Sequence, residues 1–393
     1  MPPIVSSLSA RLFGGPASAV FRGMATLALG SGLARVIGIA SIPILTRLYT
    51  PEDFGVMAVF TALIALMAPL LTLRYILAVP LPRHDGLAMN LMVLSAGLML
   101  VTGTLLAIGL ALFAEPMLAL MSMEVLAPWW WLIVLGLIGS GTYEMLSLWA
   151  TRRRAYKVIA YTNVTQSAAG AVVKIAFGFF GTGPIGLLVG QVVATSGGVG
   201  TFLRQFWAEF RANWKHVRRS RLERVAVRHR GFPIYRLPSQ VLLVFSAQAP
   251  VLFIATLYDA ETTGQFGLAM AALGLPLGLL GRTTANAFYA EAANIGRRRG
   301  EEIWHLTIAV LKRLAFFGTA PTIILLLFGP ELFMFVFGSN WELAGVFSSI
   351  LAIYLFLQFI QTPAGHLFYI FERQKSLLVL RGCTKTLITQ AGR

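Results

Sequence analysis

Acidic residues are scarce in this chain: 16 Asp and Glu against 32 Lys and Arg, in 393 residues. Charge of either sign is scarce too, at 12% of residues, where a soluble domain carries roughly 25%. Hydrophobic residues make up 57%, and the mean hydropathy is +0.74. A soluble core of this length could not hide so much apolar surface, so part of the solvent is lipid. Cysteine is nearly absent. Cys383 is alone, which excludes a disulfide within the chain, and no CxxC or His/Cys cluster exists to hold zinc. His84, His216, His229, His305 and His366 are scattered. No Walker motif, GxSxG or HExxH occurs, and no carboxylate pair sits near a base on one helix face. The sequence therefore gives no reason to expect a catalytic centre, a cofactor or a metal. The first twenty residues, with Gly14, Gly15 and Pro16, do not form a cleavable signal peptide.

What is present is a series of long apolar runs. A membrane-crossing helix needs about 20 apolar residues. About ten such runs are predicted, at 24–48, 54–80, 87–113, 127–150, 158–181, 184–206, 233–257, 264–290, 304–328 and 343–371. They are too long and too uniformly apolar to be strands of a membrane barrel. The fold class is all-α, a polytopic transmembrane helical bundle.

With the N-terminus placed inside and the runs alternating, the basic residues collect on one side. The inner segments carry Arg11, Arg22, Arg83, Arg152, Arg153, Arg154, Lys157, the basic residues from Arg204 to Arg230, Arg297 to Arg299, Lys312, Arg313 and those of the tail. The outer loops carry Arg47 and the acidic Glu52, Asp53, Glu115, Glu124, Asp259, Glu261, Glu331 and Glu342. This asymmetry supports a multi-pass protein of an inner (plasma) membrane with a cytoplasmic N-terminus. It also accounts for the net charge of +16 as contact with an anionic leaflet rather than with nucleic acid. The densest stretch, 204–231, predicts an amphipathic surface helix bearing Phe206, Trp207, Phe210 and Trp214 among its basic residues.

"LYTPEDFGVMAVF" (48–60) and "LYDAETTGQFGLAMA" (257–271) form an internal repeat. Each begins Leu-Tyr, passes an acidic turn and re-enters an apolar run. An even number of spans separates them, so the repeat is parallel, about an axis along the membrane normal. Two lobes follow: an N-terminal lobe at 1–206 with six helices, a basic linker at 207–232, and a C-terminal lobe at 233–393 with four helices, apparently incomplete.

The stretches "ILTRLYTPEDFGVMAVF" (44–60) and "LRYILAVPLPRHDGLAMNLMVLS" (73–95) resemble the start of bacterial polysaccharide flippases. These are the Wzx-like O-antigen and exopolysaccharide exporters of the multidrug/oligosaccharidyl-lipid/polysaccharide superfamily. "FYAEAAN" (288–294) and the run 330–380 resemble them too, with Phe337-Gly338, Trp341, Ala344-Gly345 and Glu372-Arg373-Gln374-Lys375 as marks. The resemblance implies two lobes of six helices and an undecaprenyl-pyrophosphate-linked oligosaccharide as substrate, moved from inner to outer leaflet in lipopolysaccharide or other surface-polysaccharide biosynthesis. It implies a polysaccharide polymerase and a chain-length regulator as partners, besides membrane lipid. The family would continue past Leu380 into two further helices. Here "RGCTKTLITQAGR" follows, which leaves an inactive truncated product as an alternative. A cation-coupled drug exporter of the same superfamily is another, although that activity calls for buried carboxylates rather than cations.

A pyrophosphate crossing hydrocarbon requires fixed cations, and ionisable groups inside a membrane are functional candidates by default. Arg35 and Lys174 fall near the middle of their runs, and Arg282 lies in the inner half of its own. A buried pairing with a carboxylate such as Glu144 is the competing reading. Arg74 and Arg236 lie near run ends, where snorkelling accounts for them. Arg47 is placed to pair with Glu52 or Asp53. Gln166, Gln191, Gln248 and Asn286 are candidate sugar contacts, with Gln240, Gln358 and Gln361 alongside. Interhelical hydrogen bonding competes for all of them. Trp129, Trp130 and Trp131 read as an interfacial belt.

Overall fold

The computed structural model describes residues 18–276 and 299–363, with Gly281, Thr284, Ala285, Phe288, Glu291, Ala292 and Ile295 between them. Every regular element among the described residues is helical. The chain divides into two compact units, Met1–Gly267 and Leu268–Arg393.

The first unit opens with α1 (Ser18–Leu48) and α2 (Pro51–Leu71). Their junction is written in the sequence. Thr50 caps α2, its hydroxyl accepting from the Asp53 amide, while the Asp53 carboxylate accepts from the Thr50 amide at 3.1 Å. Pro51 at the first helical position needs no donor partner. Next come α3 (Asp85–Ala119), α4 (Trp130–Arg152) and α5 (Tyr156–Phe179). They are followed by α6 (Pro184–Ser196), α7 (Val199–Trp214), α8 (Arg219–Arg228) and α9 (Leu237–Leu257). α10 (Ala260–Pro276) begins in this unit. Phe60, Leu118, Leu126, Ile133 and Leu188 fill one end of the unit. Ile76, Trp149, Phe202, Phe206 and Val225 fill another.

Eight of the described helical stretches are long and apolar enough to cross a membrane. The predicted run 158–181 becomes α5, 24 residues long. Thr162, Asn163, Gln166, Ser167 and Lys174 keep it out of that apolar set. The predicted run 264–290 lies partly outside the described residues.

Two predicted runs are not single helices. The run 54–80 stops at Leu71. Leu73 (φ 44°) and Arg74 (φ 61°) are left-handed, and Tyr75–Ala78 forms a 3-10 turn. The Thr102 hydroxyl bonds the Leu71 carbonyl at 2.7 Å, giving the helix end a partner. The run 184–206 breaks at Gly197-Gly198, and its second part continues to Trp214 as α7. The expected surface helix at 204–231 is therefore divided. Phe206 is buried, and Phe210 packs against the buried Trp149 at 5.2 Å. α8 follows as a separate short helix anchored by Val225.

The repeat has a structural form. Asp259 caps α10 as Thr50 caps α2, its carboxylate accepting from the Thr262 amide at 2.7 Å. The ungapped register pairs Thr50 with Asp259, Pro51 with Ala260, and Gly55 with Gly264. A side chain at Gly55 would collide with the Ala260 carbonyl, and one at Gly264 with the Pro51 carbonyl. The contact is reciprocal, as a two-fold axis requires. The Phe-Gly pairs noticed in the sequence are offset by three residues from this register, because the cap, not the phenylalanine, fixes where each helix begins.

The second unit contains α11 (Gly300–Phe337) and α12 (Glu342–Gln361). α11 kinks at Phe328 (φ −129°, ψ 21°), ahead of Pro330, which lacks an amide donor. Gly345 of α12 lies against the Gly329 carbonyl, and Ser349 bonds the Leu325 carbonyl at 2.6 Å. Gly338 (φ 112°) ends α11, and Trp341 is 1% exposed beneath the turn. Three marks of the family resemblance thus have packing roles.

Candidate functional site

The polar residues of α5 form two clusters with its neighbours. Toward α1, the Asn163 amide donates to the Ser31 hydroxyl at 3.2 Å, and Ser167 donates to the Ala34 carbonyl at 2.7 Å. Tyr143 of α4 donates to the Asn163 side-chain oxygen at 2.8 Å and lies 3.0 Å from the Thr162 hydroxyl. Gln166 sits beside this group with a buried side-chain oxygen that has no hydrogen-bond partner among the described residues.

Toward α6, the Lys174 ammonium donates to the Gln191 side-chain oxygen at 2.8 Å. The lysine stem lies across Gly190, where a side chain would collide with it. Tyr49 holds the backbone here, donating to the Lys174 carbonyl at 2.7 Å. No carboxylate pairs with Lys174 among the described residues. The structure thus joins one predicted cation to one predicted sugar contact.

Arg35 is exposed on α1, flanking the face packed on α5. It makes no hydrogen bond or ion pair among the described residues. α1 and α5 run parallel, with Ala34 beside Ser167 and Leu48 beside Gly178. Lys174 therefore lies nearer the Leu48 end than Arg35, by roughly 10 Å at 1.5 Å per residue. The two cations are staggered along one helix pair rather than brought together. Gln248 is half-buried. Arg282 and Asn286 lie outside the described residues.

Glu144 serves another cation. Arg74, expected to snorkel, turns inward and pairs with Glu144 at 3.1 Å, its side chain 13% exposed. Its Nε is buried without a partner. The reason is the left-handed turn at 73–74, which apolar periodicity does not register. Arg47, expected to meet Glu52 or Asp53, instead bonds the Pro43 carbonyl at 3.3 Å, because Asp53 is committed to the cap. Tyr143, Asn163 and Ser31 were not singled out from sequence. The recurrence of Thr162, Asn163 and Gln166 in one apolar run is the signal that could have found them.

The end of the unit opposite the Thr50 cap carries an ion-pair network. Asp85 meets Arg152 at 2.8 Å and Arg153 at 2.9 Å, and Arg153 meets Glu209 at 2.6 Å. Trp149 donates to the same Glu209 carboxylate at 3.0 Å. The Asn90 amide donates to the His216 carbonyl at 3.0 Å, and Tyr75 to the Ala226 carbonyl at 3.1 Å. Three segments predicted to share one side of the membrane are therefore bonded at one end of the unit.

Residues 44–345 match a family model described as polysaccharide biosynthesis protein. The chain belongs to that family. The match begins just before the Thr50 cap and ends at Gly345, the close-packed crossing in α12. The matched range includes both capped helix starts and α5 with its polar clusters. No curated protein matches the chain. Among solved structures, a crystal structure of MATE in the bent conformation is similar, with 17% sequence identity and a TM-score of 0.42. The similarity covers 91% of this chain and 83% of that one. The chain is a multi-pass membrane protein of the polysaccharide biosynthesis family.

Proposed function

We propose that this family member is a flippase. It moves an undecaprenyl-pyrophosphate-linked oligosaccharide from the inner to the outer leaflet by alternating access, across a bacterial inner membrane, with its N-terminus in the cytoplasm. The observation that carries this reading is Lys174, a cation in α5, whose sequence run 158–181 reads as a span, held by the neutral oxygen of Gln191. Placing Lys or Arg at the centre of a spanning helix costs roughly 2.5–3.5 kcal/mol. A structural role would favour a carboxylate partner that cancels the charge. An amide oxygen orients the ammonium and leaves its charge available to an anion. Arg35, exposed and without a partner among the described residues, offers a second cation whose planar fork can grip phosphate oxygens in pairs. Family membership supplies the polysaccharide context. Two lobes, 1–206 and 233–393 joined by the basic linker 207–232, would move about the two-fold crossing of α2 and α10. A polymerase and a chain-length regulator would act on the delivered units.

Complementation tests this. Arg35→Ala and Lys174→Gln, expressed in a strain lacking its own copy, are expected to reach the membrane at wild-type abundance and to fail to restore surface polysaccharide. Normal polymer from both variants would overturn the assignment.

A further inference from the structure

A groove of about 520 Å³ opens on the first unit between α3, α4 and α7, a size typical of small-molecule sites. Its walls are Met89, Met92 and Met145, with Trp207 and Trp214 along one lip. Arg211 is the one charged residue on its border. Both tryptophans are exposed. Methionine walls adapt to flexible chains, and tryptophans at such a level mark the boundary between acyl chains and headgroups.

The charges around this groove are sorted. Arg152 and Arg153 are neutralised by Asp85 and Glu209. Arg204, Arg211 and Lys215 are not. They recur at helical spacing along one flank of α7, are exposed, and have no acidic partner among the described residues. An apolar slot thus meets Arg211 at the charged end of the unit, with Lys215 one turn beyond it and Arg204 two turns before it on the same flank. Basic pockets between spanning helices at such a level suit anionic headgroups.

We infer that this groove is a binding site for an anionic glycerophospholipid of the adjoining leaflet. One acyl chain lies between the methionines, and the phosphate rests on Arg211 and Lys215. Lipid held here ties α7, and through Glu209 the α4 terminus, to the bilayer surface. The inference is independent of the transported substrate.

Bromine on an acyl chain quenches nearby tryptophan, so the groove carries its own reporters. The purified protein would be placed in bilayers containing equal fractions of brominated phosphatidylglycerol or brominated phosphatidylcholine. Stronger quenching by phosphatidylglycerol is expected. The excess should vanish in Trp207→Phe/Trp214→Phe, and Arg211→Gln/Lys215→Gln should lower the preference by about fivefold per lost charge. Those two surface substitutions leave the walls intact. Equal quenching by the two lipids, an excess surviving in Trp207→Phe/Trp214→Phe or undiminished in Arg211→Gln/Lys215→Gln, or its removal by equimolar polyprenyl phosphate would overturn the inference. The last result would assign the groove to a prenyl chain instead.

Discussion

At the scale of single residues, the partner of a cation decides what the cation can do. Gln191 gives Lys174 a neutral partner, whereas Glu144 gives Arg74 one of opposite charge. Replacing Gln191 by Glu separates the two roles. A purely structural Lys174 gains a better partner, and the protein should keep its function. An anion-binding Lys174 loses its charge to the new carboxylate, and polysaccharide export should fall by at least about tenfold, a barrier of roughly 1.4 kcal/mol. Quantitative staining of surface polymer at matched protein abundance reads the difference. Arg74 makes a contrasting case. Removing one partner of a buried pair costs about 3–5 kcal/mol when both ends are dry. Glu144 is 39% exposed, so Arg74→Ala should cost less than that range and appear as a lower thermal midpoint. Lys174 and Gln191 were each legible in the sequence by depth within an apolar run. Their pairing was not, although the two lie nearly symmetrically about the turn of Gly181 and Gly183. A hairpin register becomes readable only when the turn is known to be tight.

At the scale of elements, helices were legible wherever lipid demands uniform apolar sequence. They were illegible where the backbone breaks without a change in hydrophobicity. Leu73 and Tyr75 are apolar in a turn and in a helix alike, so the stop at Leu71 left no mark in the hydropathy. Thr50, Pro51 and Asp53 stand in the order that a capping box requires, but the sequence reads here only as an acidic turn, with the apolar run beginning at 54. Thr50→Ala should destabilise the first unit by about 1 kcal/mol, and Thr50→Asp should preserve it; thermal melts in detergent check both. The equivalent Asp259 depends on its charge. The Thr262 backbone amide holds its carboxyl below the ordinary carboxylate value. Its contribution is present above the unfolded value and lost as pH falls through the folded one. Asp259→Asn should therefore flatten the acid limb of the stability profile relative to the parent.

At the scale of the whole molecule, the alternation of basic segments makes a checkable statement about topology. With Cys383 replaced by serine, a cysteine at Ser220 should react only from the cytoplasmic face. One at Ser122, in the turn after α3, should react with an impermeant reagent in intact cells. The opposite pattern would invert the protein in the membrane. Asp85 and Glu209 meet Arg153, and Asn90 bonds His216 and Arg218, so the segment leading to Ser220 lies at the same end as the 152–157 loop.

The crossing of Gly55 and Gly264 has a consequence for how such proteins diversify. Each glycine touches the other helix's backbone rather than a side chain. A joint built from main chain has no vocabulary of side chains to maintain. Side chains on the neighbouring helices can change without disturbing this crossing, provided that both positions stay glycine. One symmetric pair of glycines would then serve many different helix faces.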